Sequence, residues 1–306
     1  MGISRQVLKA MLHENCYNEI HGRVLLIGKS TVAVNYQYIV NIFQRYSLAP
    51  PLKNHQHDKK TKHSSEAYFL DDVQLVSSLS NRILQIDVLD VSDYEGASIV
   101  CDLNYPVPEI YLSQFDFIYD SGVLDNLFNP AQAICNIAKM LKPSGRYLGI
   151  NVASFFPGAL CSCHPEWFYG FFSTNKFADV KTYLMEQVEF GLNRFEFETD
   201  LFHYKPTFTR QANYNYLEAV KNTNGVCFTL VVAEAPAIPV QDIRYPINLH
   251  YIASSKADDW SKNEILYCKS PRPLMQDEIL FERHDTDRQV FLPHNTDHYE
   301  YLGTGF

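Results

Sequence analysis

The stretch that most limits the fold is residues 129–154, NPAQAICNIAKMLKPSGRYLGINVAS, which joins a well-capped helix to a strand across a very short stop. Asn129 suits an N-cap and Pro130 the first helical turn, where a missing N–H costs nothing. Ala133, Ile134, Ile137, Met140 and Leu141 then recur at helical spacing as one buried stripe. Lys142-Pro143-Ser144-Gly145 ends the helix, and 147–154 reads as the next strand. A strand follows this helix at once, and a strand-like run, FDFIYDSG (115–122), precedes it. Such a unit is a crossover between parallel strands, so it demands a sheet covered by helices.

The rest of the chain repeats the alternation. Val7, Leu8, Met11 and Leu12 predict a helix before a first strand at 23–27, and Tyr36, Ile39, Val40 and Phe43 predict a helix to about Tyr46. Val73, Val76 and Leu79 share a helical face with Phe69, or Ser80 takes the last place. RILQIDVLDVSDYEGASIVCDLN (82–104) holds two short strands, at about 83–89 and 98–101, and 178–190 and 226–235 read as later strands. The expectation is an α/β chain with a mostly parallel sheet and helices on both faces. Residues 1–235 form this domain, and 236–306, where the pattern dissolves into proline, charge and aromatics, form a C-terminal extension. Residues 49–66, APPLKNHQHDKKTKHSSE, are polar and aperiodic and read as a mobile loop. Their histidines lack cysteine or ordered carboxylate partners for a metal.

RVLLIGKSTVAV (23–34) contains Gly28-Lys29-Ser30-Thr31, which resembles the tip of a nucleotide-binding loop. The spacing excludes that reading. Gly22 lies six positions before Gly28, one too many, and the intervening Arg23–Ile27 is a strand with no chain free to wrap phosphates. What remains is a strand ending at a glycine turn and followed by a helix, a common opening for ligand sites in α/β folds.

With 46% hydrophobic and 20% charged residues, the 306-residue chain can bury a large core, and twenty Tyr and twenty Phe make that core bulky. A net charge of −9 with no long basic run argues against a nucleic-acid partner. Seven cysteines, an odd number with several in apolar runs, read as reduced thiols of a cytoplasmic protein. The N-terminal MGISRQVLKAMLHENC has no continuous apolar run of the signal-peptide kind, and no window approaches a membrane span. No membrane partner is expected. A homo-oligomer is compatible with everything in the sequence.

FDFIYDSGVLDNLFNPAQAICNIAKMLKPSGRYLGIN (115–151) resembles the second half of class I S-adenosylmethionine-dependent methyltransferases. Asp125-Asn126 stands where that family has Glu-His, and LKPSGR stands for its LKPGG. More narrowly, DVSDYEGASIVCDLN is similar to a bacterial methyltransferase-like group with a glycine-poor first motif, and the order of shared motifs spans residues 23 to about 172. The resemblance implies a Rossmann-like class I methyltransferase fold with a seven-stranded, mostly parallel sheet. It implies S-adenosylmethionine as cofactor and a small-molecule acceptor, a sugar or another intermediate of polysaccharide or secondary metabolism.

Such a donor asks three things of the sheet edge: a tight turn near its methionine part, an acid for the ribose hydroxyls, and a polar group for the adenine. Gly28, Lys29 and Ser30 supply the turn, Asp90 is the ribose acid with Asp87 as alternative, and Asp102 meets the adenine. Each has a plainer rival: Asp90 as turn former before Ser92-Asp93, Asp102 as a turn cap with Asn104. For methyl transfer the candidates are Asp120, Asp125, Asn151 and His164, although Asp120 could simply end its strand. Cys161-Ser162-Cys163-His164 lacks the second ligand pair of a zinc site, so no metal is expected. Ala159-Leu160 occupies the region where the narrower group carries a glycine-histidine pair. The alternative function is a non-catalytic binding or scaffold protein that keeps the fold with a degenerate donor site.

Overall fold

A computed structural model describes residues 2–52, 70–154, 156, 158–188, 198–204, 226–246 and 299–305. Most of the 49–66 loop, including its histidines, and most of the C-terminal extension lie outside these residues.

The chain begins with β1 (Gly2–Ile3) and α1 (Arg5–Tyr17), followed by β2 (Gly22–Ile27), β3 (Thr31–Val32) and α2 (Tyr36–Arg45). Next come α3 (Asp72–Ser77), β4 (Ile83–Asp90), β5 (Ile99–Val100), β6 (Phe115–Asp120), α4 (Pro130–Met140) and β7 (Leu141–Val152). The chain closes with α5 (Pro165–Thr174), β8 (Asp179–Val188), β9 (Glu198–Tyr204), β10 (Val226–Glu234) and β11 (Tyr299–Gly305).

Local chemistry explains these elements. Asn129 caps α4 by accepting from the Gln132 N–H at 3.2 Å, with Pro130 in the first turn. Asn35 and Asp71 cap α2 and α3 in the same way. Val24, Leu25, Leu26 and Ile27 of β2 are all buried, as a central parallel strand requires.

One sheet carries nine of the strands in the order β11-β9-β8-β10-β7-β6-β2-β4-β5. From β7 to β5 every pairing is parallel, whereas β10 runs antiparallel to both β7 and β8. The expected Rossmann-like α/β architecture therefore holds, with two further strands, β9 and β11, beyond the expected seven. β11 falls within the segment read as a C-terminal extension, and it pairs with β9 in this sheet.

Two cores flank the sheet. α1, α2 and α3 cover one face, against Val24, Leu26, Phe117, Leu148 and Leu230, and α4 and α5 cover the other, against Leu25, Ile118, Tyr147 and Val231. α1 is tied to β7 by the buried Arg146, which donates to the Glu14 carbonyl at 2.8 Å and pairs with its carboxylate at 3.2 Å. Among the described residues, no helix is long and apolar enough to cross a membrane.

The sheet order places a topological switch between β2 and β6. From β2 the chain next adds strands on one side, β4 and β5, then returns to build β6 and β7 on the other. A crevice opens outside the carboxyl ends of the strands at such a point.

Candidate functional site

Gly28 closes β2 with φ of +74°, and its N–H donates to the Leu89 carbonyl at 2.8 Å, which ties the turn to the end of β4. A side chain here would be strained by that φ, and its Cβ would lie 2.7 Å from a Val123 methyl. The turn after β2 and the loop after β6 therefore touch. Ser121 reinforces the contact by donating its hydroxyl to the Ile27 carbonyl at 3.2 Å.

Beyond Gly28 the turn is held from outside. The Lys29 ammonium meets Asp71 at 2.6 Å and also pairs with Asp72, and the Ser30 N–H donates to Asp72 at 2.7 Å. Burial alone would lower the Lys29 pKa, but the Asp72 and Asp71 carboxylates outweigh it and hold it above the ordinary value. Lys29 thus stays charged and points into the start of α3. Sequence reasoning missed Asp72, which is fully buried and braces this turn. The signal was the Asp-Asp pair opening α3, where acids favour a helix N-terminus. The turn has a second outer support, because β1 pairs in parallel with β3: Gly2 lies opposite Thr31, and Ile3 opposite Val32.

Asp90 ends β4 half-buried, and one carboxylate oxygen accepts from the Val91 N–H at 2.6 Å. Asp87, the alternative ribose acid, is buried within the strand and occupied by Arg23 at 2.7 Å, Gln85 at 2.9 Å and Ser98 at 3.3 Å. Asp102, half-buried after β5, accepts from both the backbone N–H and the side-chain amide of Asn104, at 2.9 and 2.8 Å. That is the turn-capping arrangement weighed against its adenine role. Gly28 and Asp90 therefore lie side by side at the carboxyl ends of neighbouring strands, joined through the Gly28–Leu89 hydrogen bond.

Three of the four catalytic candidates meet in one buried network on the α4/α5 face. Asp120 is fully buried, and one oxygen accepts from the N–H groups of Val123 at 2.9 Å and Gly122 at 3.2 Å. Its other oxygen accepts from the Asn151 amide at 2.7 Å and the Tyr147 hydroxyl at 3.0 Å. Burial raises the Asp120 pKa, and these four donors partly offset the rise. The Asn151 side-chain oxygen accepts from the Asp125 N–H at 3.2 Å, and the Asp125 carboxylate accepts from the Val152 N–H at 2.7 Å. The Asn126 amide donates to the other Asp125 oxygen at 2.7 Å. Burial pushes the Asp125 pKa up to about 6, with the nearby Asp120 charge adding to the rise and the Val152 donor opposing it.

His164 stands apart. It is exposed at the residue before α5, and its side chain does not cap that helix. Tyr147, also missed from the sequence, reaches Asp120 by folding over Gly149, where a Cβ would lie 2.1 Å from the Tyr147 hydroxyl. Among the described residues no group of three or more His, Cys, Asp or Glu could hold a metal.

Chemically, the carboxyl edge of the sheet offers a half-buried carboxylate beside a glycine turn. Beside it lies a buried network in which burial raises both carboxyls, Asp125 up to about 6.

No family model and no curated protein matches the chain. Among solved structures, it is similar to an S-adenosylmethionine-dependent methyltransferase from Archaeoglobus fulgidus, with 14% identity, 76% of this chain and 94% of that chain covered, and a TM-score of 0.38. It is similar to phosphoethanolamine N-methyltransferase 2 of Haemonchus contortus, solved with S-adenosylmethionine, at 12% identity, 75% and 52% coverage and a TM-score of 0.40. It is also similar to a zinc-dependent alcohol dehydrogenase from Rhodobacter sphaeroides, at 13% identity, 48% and 46% coverage and a TM-score of 0.29. In the last two cases the chain spans about half the length of the protein it matches. Similarity at this level carries no residue, ligand or reaction over to the chain.

Proposed function

We propose that the chain binds S-adenosylmethionine in the crevice at the β2/β6 switch and methylates a small molecule. One observation supports this most: Asp90 sits half-exposed at the end of β4, tied to the positive-φ turn at Gly28 through the Gly28–Leu89 hydrogen bond. A carboxylate so placed can accept both hydroxyls of a ribose. The residues fit the nucleoside end of the donor, since Asp87 is spent on Arg23 and Asp90 is not. Asp102 would face the adenine while still holding Asn104. Gly28, Lys29 and Ser30 would border the methionine part through their backbone, because the Lys29 side chain is committed to Asp71 and Asp72.

When bound, the donor supplies an electrophilic methyl group on a sulfonium, so the chain's task is chiefly alignment. Asp120 and Asn151 would hold the loop after β6 in register with the turn after β2. Asp125 would be the proton acceptor of the site if the acceptor needs one, and His164 would serve on its outer side. That the acceptor is a sugar or another intermediate of polysaccharide or secondary metabolism rests on the family resemblance alone.

The second reading is a binding or scaffold protein without transfer. It is favoured by Asp120, whose oxygens are all engaged inside the protein. Calorimetric titration with S-adenosylmethionine and S-adenosylhomocysteine separates the two. Asp90→Ala should weaken binding roughly 10- to 150-fold, from charge-assisted hydrogen bonds of ~1.5–3 kcal/mol. Asp90→Asn should keep part of the affinity. Asp87→Ala should leave binding near the parent value once thermal unfolding confirms a folded variant. Parent-level affinity in Asp90→Ala would move the ribose site elsewhere, and no parent binding at millimolar ligand would support the second reading.

A further inference from the structure

The loop from β7 to α5 brings two thiols together. Cys161 and Cys163 point their sulfurs at each other with 3.8 Å between them. Their environments differ in a useful way: Cys161 is half-exposed, whereas Cys163 is 2% exposed. The backbone around them is anchored at both ends. The N–H groups of Leu160 and Cys161 donate to the Asp125 carbonyl at 2.8 and 3.2 Å, and the Cys163 N–H donates to the Val152 carbonyl at 2.7 Å. Cys161 sulfur also lies 3.6 Å from the Leu124 carbonyl. The pair thus sits directly on the backbone of Asp125 and at the end of β7, and the methyl-transfer reading gives it no task.

We propose that Cys161 and Cys163 are a dithiol modification site that closes to a disulfide by exchange with a low-molecular-weight disulfide. The Cys161 thiolate attacks one sulfur of the small disulfide, forming a mixed disulfide and releasing one small thiol, which takes up the proton. Cys163 then attacks the Cys161 sulfur. The new Cys161–Cys163 bond forms, the mixed disulfide breaks, and the second small thiol leaves with the proton from Cys163. Two protein thiols are oxidised and one small disulfide is reduced to two thiols. A disulfide needs sulfurs about 2.0 Å apart, so the second step asks only for a short approach of groups already in contact. The buried partner never has to meet the reagent; it only has to reach its neighbour. The first step is slow at neutral pH, since burial raises the Cys161 thiol pKa. Burial raises the Cys163 thiol further still, which opposes the second step, and the high effective concentration of a fixed neighbour offsets this.

The test uses the full chain, treated with oxidised glutathione at pH 8.5 and then mapped by peptide mass spectrometry after alkylation of the remaining thiols. The parent should show the 161–163 peptide unalkylated and lighter by two hydrogens, with no glutathione adduct persisting at Cys161. Cys163→Ser should trap the adduct at Cys161, and Cys161→Ser should leave Cys163 unmodified. A thermal melt of each protein before treatment verifies folding. A stable adduct at Cys161 in the parent overturns the proposal, as does an unreacted pair when exposed Cys16 is fully converted. The readout is mass and involves neither donor binding nor transfer, so it stands or fails apart from the function proposed above.

Discussion

At the scale of single residues, Asp125 is the group whose chemistry depends most on where it sits. Its pKa of about 6 lies above the usual carboxylate value because burial penalises the charge. The folded state therefore binds this proton more tightly than the unfolded chain does. The stabilisation is complete below about pH 4, where both states are protonated, and it is lost as pH rises through about 6. A shift of this size corresponds to roughly 3 kcal/mol at most. Denaturant unfolding of the parent between pH 4.5 and 8 should show this loss, and the slope should be shallower in Asp125→Asn. Identical slopes for the two proteins would assign the titration to another group. Asp120, Asp125 and Asn151 are legible in the sequence as candidates because each falls near a strand end. Their union is not legible. It depends on Tyr147 folding over Gly149 and on Asn151 of β7 joining the end of β6 to the loop that follows it, neither of which leaves a periodic trace.

Among the elements, β7 carries the heaviest combination of duties. It is the parallel partner of β6, the antiparallel partner of β10, and the source of both Tyr147 and Asn151. Gly149 makes this possible by leaving space for the tyrosine hydroxyl. Gly149→Ala should displace that ring, with an overpacking cost of about 1–3 kcal/mol. A further loss of about 1–3 kcal/mol follows if Asp120 is left short of a donor. Urea unfolding checks the sum, and a variant within error of the parent would mean that the ring has another place to go. The long elements are the legible ones. α4 announces itself by its cap, its proline and its stripe, and the central strands by unbroken apolar runs. α5 is harder to read because PEWFYGFFST is apolar on nearly every side, so no face stands out. β1 and β3 are two residues each, too short for any period, and only their pairing in space defines them.

For the molecule as a whole, the described part of the tail is fastened to the body. Residues 236–246 lie along the α4/α5 side, where Val240 and Ile243 pack against the core. Asn175 holds this run by accepting from the Arg244 N–H and donating to the Arg244 carbonyl, both at 2.9 Å. Asn175→Ala should release it, speeding amide hydrogen exchange at 240–246 while exchange in β6 and β7 stays at the parent level. Unchanged exchange at 240–246 would show that apolar packing and the Cys135–Tyr245 contact hold the segment without Asn175. The tail's departure from strand–helix alternation is plain in the sequence, whereas its attachment uses partners distant in the chain, Asn175 for Arg244 and β9 for β11, which leave no local signal.

The position of β10 has a consequence for how the protein is made. Among the described residues, β8 and β9 connect to the rest of the sheet only through β10, and β10 follows both of them in the chain. On a ribosome, β2 and β4 to β7 can assemble as soon as residue 152 has emerged. β8 and β9 emerge next, yet they have no strand through which to join that sheet until β10 arrives, some seventy residues after Val152, at the ~5–20 residues per second of synthesis. For those seconds the β7 edge that β10 will cover is open, and an open edge invites pairing with other chains. The nascent chain is therefore a natural client for a chaperone during this interval, and slowing synthesis before residue 226 should lower the soluble yield more than slowing it after residue 234.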